Sequence, residues 1–185
     1  MPERDDGMQE EMNTFLKDAI KDFKLPRYNE IPNVGLYLEQ TAKYISEMSQ
    51  TNEMGITGSM ISNYVKRELI SKPVKKQYNR EQIAYLIFIA IVKNILAMED
   101  FKLIFSIQKR TYTSQVAYDY FCSEFENILD YIFGRKNVPD MIGVDNSDVK
   151  IMLRNTITAV AYKIYLDKLF SVLRKSETNQ CSTSN

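Results

Sequence analysis

The feature that most constrains this chain is a long interval, residues 74–133, that contains neither proline nor glycine. Only six Gly and five Pro occur among all 185 residues. Turn-rich all-β folds need these residues at frequent turns, so their scarcity favours helices. A chain of this length fits one domain, or a small domain with a helical extension. It can bury a hydrophobic core without disulfide bonds or structural metal ions. We therefore predict an all-α fold.

Apolar residues recur at helical spacing in successive segments of the chain. The spacing predicts helices over about 8–23, 33–49, 58–68, 80–95, 99–109, 114–133 and 147–175. Segment 83–92 is apolar on most sides, so its helix is expected to be central. Thr57 is predicted to cap the third helix, and Asn79 with Gln82 forms a capping box for the fourth. Asp145 or Ser147 is expected to cap the last helix.

Several function classes are excluded by what the sequence lacks. There is no His, so the commonest general base and nitrogen metal ligand are missing. No nucleophile–base pair, glycine-rich phosphate loop or metal-ligand set can be assembled, so we expect neither an enzyme nor a cofactor. The two cysteines are far apart, which is typical of a reduced compartment. Without a signal peptide or an apolar run of about 20 residues, the protein is expected to be cytoplasmic and not to enter membranes.

The formal net charge is zero, but the charges are unevenly distributed. Residues 1–58 carry six basic and eleven acidic side chains, and residues 81–185 carry twelve of each. Residues 59–80 carry six basic side chains and one acidic residue, Glu68. Because attraction to phosphate acts within about a Debye length, ~8 Å at physiological salt, this segment is the candidate for contact with a polyanion.

The helix predicted over residues 58–68 has two distinct faces. Met60, Ile61, Tyr64 and Val65 fall on one side at 100° per residue. The other side carries Ser59, Ser62, Asn63, Lys66 and Arg67. Hydroxyl, carboxamide and cationic groups are those that reach base edges and phosphates from a major-groove helix. The nucleic-acid contact is expected to continue past the helix through Lys72, Lys75, Lys76, Tyr78 and Arg80.

The order of these features resembles the DNA-binding domain of MerR-type (mercury-resistance-like) transcription regulators over residues 33–108. In that family a motif close to T-L-R-Y-Y-E-x-x-G-L ends the recognition helix, and a wing leads to Y-R-x-Y and an apolar helix. Residues 60–70 take the place of the first motif and match it at Tyr64 and Leu69–Ile70. Lys76 and Tyr78 take the last two defined places of Y-R-x-Y.

Three positions depart from the MerR-type pattern: Ser62 replaces a phosphate-contacting Arg, Asn63 a Tyr, and Glu68 the glycine that begins the wing. The whole chain is also similar to an uncharacterised bacterial family of unknown function with a MerR-like helix-turn-helix. That family shows a similar L-P-R-Y-x-E-I-P stretch, here residues 25–32, and a similar N-Y-V-K, here residues 63–66. No biochemical activity comes with this resemblance.

These observations predict a winged helix-turn-helix-like (MerR-like) DNA-binding domain followed by a helical C-terminal region. The expected divisions are an N-terminal helix and linker (1–32), the MerR-like domain (33–110), a helical dimerisation or sensing region (111–175) and a disordered tail (176–185). The expected function is a homodimeric transcription regulator that binds double-stranded DNA. The alternative is a helical protein-interaction module on the same scaffold without DNA contact.

Three further groups of residues allow more than one interpretation. The C-terminal tyrosines form either a pocket for a small-molecule effector or a packing and dimer surface: Tyr112, Tyr118, Tyr120, Tyr131, Tyr162 and Tyr165. Cys122 is expected to be packed, with a redox sensor as the less favoured interpretation. The carboxylates of the sixth helix are expected to form a solvated face rather than a metal cluster: Asp119, Glu124, Glu126 and Asp130.

Overall fold

Helices account for most of the regular structure in the computed structural model, which describes residues 6–48, 55–143 and 147–182. The α-helices are α1 (Asp6–Asp18), α2 (Leu38–Met48), α3 (Gly58–Lys66), α4 (Arg80–Val92), α5 (Met98–Thr111), α6 (Ser114–Ile132) and α7 (Asp148–Ser182). A short 3₁₀ turn spans Tyr28–Glu30. Two short strands, β1 (Leu36–Tyr37) and β2 (Gln77–Tyr78), pair antiparallel. The prediction of an all-α class is confirmed apart from this small sheet.

The predicted helix starts are confirmed where a side chain caps the backbone. Thr57 Oγ1 accepts a hydrogen bond from Met60 N at 3.2 Å. Asn79 and Gln82 form the reciprocal capping box, with both bonds at 2.9 Å. Of the two residues proposed to cap α7, Ser147 accepts from Lys150 N at 3.4 Å, and Asp145 lies outside the described residues. These contacts are local, which is why sequence alone located them.

Helix boundaries differ from the expected ones where the chain takes another conformation. α2 begins at Leu38, not near Asn33, because residues 36–37 form β1. α1 spans Asp6–Asp18 and gives way to turns before Phe23. α7 continues to Ser182, into the segment predicted to be a disordered tail. The parts of the predictions that concern residues 1–5, 49–54 and 183–185 lie outside the described residues.

α4 is the central helix, as its sequence predicts. Ten of its thirteen residues are buried, including Ile83, Leu86 and Ile89, which have no exposed surface. It packs against α2, α6 and α7, so apolar side chains are needed on nearly every side. Burial of a large aliphatic side chain contributes about 1.5–3 kcal/mol, and α4 therefore supplies much of the core.

Aromatic rings join α4 to the helices around it. Phe88 of α4 meets Phe121 of α6 edge to face, with ring centroids 4.9 Å apart. Phe121 stacks on Phe125 at 5.8 Å, and Phe125 meets Phe23 of the N-terminal segment at 5.7 Å. Such ring pairs contribute about 0.5–1.5 kcal/mol beyond the area that they bury.

Polar contacts hold residues 25–28, in the segment before β1, against α6. Arg27 donates from both terminal nitrogens to Glu126, at 2.9 and 2.7 Å, and Leu25 N donates to the same carboxylate at 2.9 Å. Two turns earlier on α6, Tyr28 N donates to Asp119 at 2.7 Å. A two-pronged Arg–carboxylate contact fixes geometry as well as adding energy. The L-P-R-Y stretch therefore has a structural role.

The expectation of a solvated carboxylate face on α6 is wrong. Glu126 and Asp119 hold the N-terminal segment, and Asp130 pairs with Arg135 at 3.0 Å. Glu124 is fully buried and lies 2.9 Å from Arg154 Nε of α7. All four carboxylates thus take part in contacts with residues that are distant in sequence or beyond the end of the helix. Periodicity could not reveal these partners.

The two strands connect the beginning of α2 to the segment that precedes α4. Leu36 pairs with Tyr78, and Tyr37 pairs with Gln77. Gly35 permits this approach, since a Cβ there would lie 2.7 Å from the Cβ of Gln77. The pairing holds the end of the loop after α3 against the body of the protein.

Candidate nucleic-acid interface

α3 is held in place by its apolar face. Ile61 is fully buried and Tyr64 is 6% exposed, and α3 packs against α2. The N-terminal end of the helix is fixed by Thr57, whose hydroxyl lies 2.9 Å from that of Ser59. These contacts fix which face of α3 points away from the core.

The opposite face of α3, the α3 outer face, is exposed as predicted. It consists of Ser59, Ser62, Asn63, Lys66 and Arg67, all of which are exposed. None of these residues is covered by another helix of the described chain. The geometric part of the prediction is therefore confirmed, and contact with nucleic acid stays a prediction.

The chain leaves α3 through a left-handed residue, Glu68, whose φ is 59°. Glu68 N bonds to Val65 O at 3.1 Å and Leu69 N bonds to Tyr64 O at 2.9 Å, which is the pattern of a Schellman C-cap. Glycine normally takes this position because other residues are strained there. Glu68, a departure from the MerR-type pattern, therefore keeps the backbone conformation expected of that glycine.

A tight turn, the basic hairpin (Val74–Gln77), follows after buried Leu69 and Ile70. Gln77 N bonds to Val74 O at 2.9 Å, and the two central residues, Lys75 and Lys76, have φ of 51° and 65°. Two consecutive positive φ values define a type I′ turn, which strongly prefers Asn-Gly. Both lysines are exposed at its tip. Strained backbone at an exposed cationic tip is an observation that points to function.

Two residues predicted to contact nucleic acid lie elsewhere. Tyr78 is only 4% exposed, because the β1–β2 pairing turns it into the core. Arg80 donates its Nε to Ile31 O at 2.9 Å and lies 5.8 Å from the ring centroid of Tyr28. Arg80 therefore contacts the segment before β1 through Ile31 and Tyr28, and its side chain is only partly exposed.

The remaining cations lie at the end of α3 and in the loop and hairpin that follow it, and we call them together the basic surface: Lys66, Arg67, Lys72, Lys75 and Lys76. All five are exposed, and none forms an ion pair or side-chain hydrogen bond with another described residue. Several basic residues of α7 and of the segment before it are instead paired, as in Arg154–Glu124 and Lys163–Asp167. The basic surface thus keeps its charge available, with Glu68 as the one acid within its span of sequence.

Lys93 is a positioning residue that sequence analysis missed. Its ammonium donates to Gly55 O at 2.6 Å, two residues before the Thr57 cap. Burial lowers the pKa of Lys93. A single lysine after an apolar helix gives no sequence signal for this role, because the contact joins residues far apart in the chain.

Cys122 has the properties of a packed thiol. It is fully buried, its sulfur lies 3.8 Å from Pro26 O, and burial raises its pKa to about 12. A thiol must ionise to react readily. The packed interpretation is therefore favoured over the redox sensor.

Two classes of feature are absent from the described ranges. No group of three or more Cys, Asp or Glu side chains there could hold a metal ion. No helix in the same residues combines the length and apolar character that a membrane span requires.

Comparison with known proteins gives one result. Residues 26–121 match a family described as a domain of unknown function (DUF1836). The matched range begins in the segment that Arg27 holds against α6 and ends within the first turns of α6. No curated protein and no solved structure matches the chain. The match contains α3, the basic hairpin and the whole of α4 and α5. Because it covers more than half of the sequence, the chain belongs to the DUF1836 family.

Proposed function

We propose that this protein is a DNA-binding transcription regulator, in which α3 enters the major groove and the basic hairpin contacts phosphates. Serine hydroxyls and the carboxamide of Asn63 would face base edges. Lys66, Arg67 and Lys72, together with the two lysines of the basic hairpin, would contact the phosphates of the DNA backbone. Such a regulator acts in the cytoplasm, where its cysteines stay reduced.

The proposed organisation is a winged helix-turn-helix of the MerR-like kind. Three features support it: α2 packs against α3, a tight hairpin follows α3, and β1–β2 pairing holds the base of that hairpin. The glycine-like backbone at Glu68 adds support, since the wing begins there in MerR-type proteins.

One observation carries the proposal: the five exposed cations of the basic surface have no partner among the described residues, while the other face of α3 is packed against the protein. Unpaired like charges at neighbouring positions, as at Lys66–Arg67 and Lys75–Lys76, repel each other and cost free energy. A polyanion such as duplex DNA neutralises them with release of counterions.

Fluorescence anisotropy with a labelled duplex pool, measured over a series of salt concentrations, tests this proposal. Lys66→Gln is expected to weaken binding to all sequences and to lower the salt slope by about one unit. Glu68→Gln should strengthen binding, because it removes the acid beside the basic surface. Lys102→Gln, an exposed lysine of α5, is the matched control and should leave affinity within about twofold of the wild type.

Equal affinity of the Lys66 and Lys102 variants would overturn the assignment of α3. The alternative function, a helical protein-interaction module, is supported by the apolar residues that α7 exposes. Retention on heparin at moderate salt separates the two functions, because a protein-interaction module without a polyanion site elutes early.

We also propose that the protein is a homodimer and that the contact is made by α7. Four large apolar side chains lie on one exposed line of this helix, the α7 stripe: Tyr162, Leu166, Phe170 and Leu173, which are 50%, 44%, 50% and 41% exposed. Their spacing of four, four and three residues keeps them on one face. A second copy is the occupant that supplies an equally apolar face in a symmetric contact.

A further inference from the structure

Helices α4, α5, α6 and α7 enclose a partly open cavity of about 270 Å³, the aromatic cavity. Its wall includes the rings of Tyr85, Phe88, Phe105 and Phe121 together with aliphatic side chains of α5 and α7. An apolar cavity of ~150 Å³ holds a benzene ring, and drug-sized sites begin near ~300 Å³. The aromatic cavity therefore has room for a molecule of one or two rings.

Several polar groups in the wall are bonded to one another. Tyr85 donates its hydroxyl hydrogen to Gln108 Oε1 at 2.6 Å, and Gln108 Nε2 donates to Tyr112 O at 2.8 Å. Ser114 donates to the carboxylate of Glu81. A ligand that enters the cavity consequently meets ring edges and aliphatic groups, which suit a flat apolar molecule.

Among the described residues the wall holds one acid and one base, Glu81 and Lys150. The Glu81 carboxylate already accepts a hydrogen bond from Ser114, so Lys150 is the group that selects the charge of a ligand. Lys150 lines the wall, donates to Gly143 O at 2.9 Å and lies 5.6 Å from the ring centroid of Tyr120. Lys109 lies 5.6 Å from the ring centroid of Tyr85. The faces of both rings are thus already occupied by the protein's own cations, which would repel a cationic ligand.

Neither lysine has a carboxylate within 4 Å among the described residues. Lys150, which is part of the wall, can therefore pair with an anionic group of a bound molecule. We propose that the aromatic cavity binds an aromatic carboxylate of one or two rings, with the rings among Phe88, Phe105 and Phe121 and the carboxylate at Lys150.

Three matched probes test the proposal: 2-naphthoate, the neutral 2-naphthalenemethanol and the cationic 2-naphthylmethylammonium. Calorimetric titration of the full chain should give the tightest binding for 2-naphthoate, by about two- to fivefold over the alcohol. The melting temperature should rise with the logarithm of naphthoate concentration. Lys150→Met should lower naphthoate affinity to that of the alcohol.

The position of the ligand is tested by filling the cavity at Ala117, which lines it. Ala117→Leu and the bulkier Ala117→Phe should each reduce naphthoate affinity at least about tenfold, and circular dichroism identifies any variant that fails to fold. If Ala117→Phe is unfolded, Ala117→Leu decides the question. Ala159→Leu, at an exposed position of α7 outside the cavity, is the matched control and should bind as the wild type does.

The absence of heat and of a melting shift with all probes at about 1 mM would overturn the proposal. So would unchanged binding to a folded Ala117→Leu variant. Equal or tighter binding of the ammonium probe would overturn the assignment of charge. None of these measurements involves DNA, so their outcome is independent of the proposed regulator function.

Discussion

At the scale of single residues, Glu124 shows how burial and pairing oppose each other. The carboxylate is fully buried on α6, and desolvation raises its pKa. The nearby Arg154 and Lys150 act in the opposite direction, and Arg154 Nε lies 2.9 Å away. Taking a carboxylate out of water costs several kcal/mol even when it is paired. The pair therefore fixes α6 against α7 more than it stabilises the fold.

This environment predicts a pH dependence of stability. With a folded pKa above the unfolded one, the folded state binds an extra proton between the two values, so the free energy of unfolding falls as pH rises through that window. Glu124→Gln should remove this decline in urea denaturation series from about pH 4.5 upward. Glu47→Gln, at an exposed residue of α2, controls for the loss of one charge. An unchanged decline in the Glu124 variant would contradict the prediction.

At the scale of elements, the basic hairpin combines a conformational cost with a proposed role in binding. Replacing Lys75 and Lys76 by Asn-Gly should raise the free energy of unfolding by about 1–2 kcal/mol, because Asn-Gly suits the positive φ angles that strain two lysines. The same variant should lose about two units of the salt slope of DNA binding, since two cations are removed. Urea denaturation and salt-dependent anisotropy measure the two effects.

The matched control for the hairpin is the double change of Lys75 and Lys76 to Gln, which removes the charges and leaves the strain. It should lose the same salt slope while its stability stays within about 0.5 kcal/mol of the wild type. A gain in stability equal to that of the Asn-Gly variant would mean that repulsion, not backbone strain, sets the cost. An unchanged salt slope in both variants would remove the hairpin from the interface.

Elements that depend on neighbouring residues could be predicted from the sequence, and those that depend on distant ones could not. The caps at Thr57 and Asn79 and the two faces of α3 follow from spacing within one or two turns. The left-handed turn at Lys75–Lys76 could not be predicted, because its residues contradict the usual preference. The burial of Tyr78 depends on pairing with Leu36, which is distant in sequence.

At the scale of the whole molecule, contacts between residues that are distant in sequence could not be predicted either. An example is the contact that joins the segment before β1 to α6. Arg27 and Glu126 are separated by 99 positions. Opposite charge alone could not identify Glu126 as the partner of Arg27, because the chain has 24 acidic residues. The aromatic cavity likewise arises only where four helices meet. Tyr112, Tyr118 and Tyr120 in its wall belong to the tyrosines for which the sequence predicts either an effector pocket or a packing and dimer surface. Local composition thus indicated the region, and tertiary packing determined its form.

The proposed dimer gives a final prediction at this scale. The α7 stripe spans residues 162–173, about 18 Å of helix at 1.5 Å per residue, so a stable dimer of ~1,200 Å² or more needs further contacts beside it. Phe170→Glu places a charge in the centre of the contact and should weaken dimerisation at least about 100-fold. Sedimentation velocity over a range of protein concentrations measures this change.

Leu103→Glu, at a 55% exposed leucine of α5, is the matched control and should leave the dimer intact. Because two half-sites are bound together only by a dimer, Phe170→Glu should also lower affinity for a selected two-fold symmetric site far more than affinity for a single half-site. If Phe170→Glu leaves sedimentation unchanged while Leu103→Glu produces monomers, the contact lies on α5 rather than on α7. If wild-type protein sediments as a monomer at every concentration, each chain acts alone and the regulator would read single half-sites.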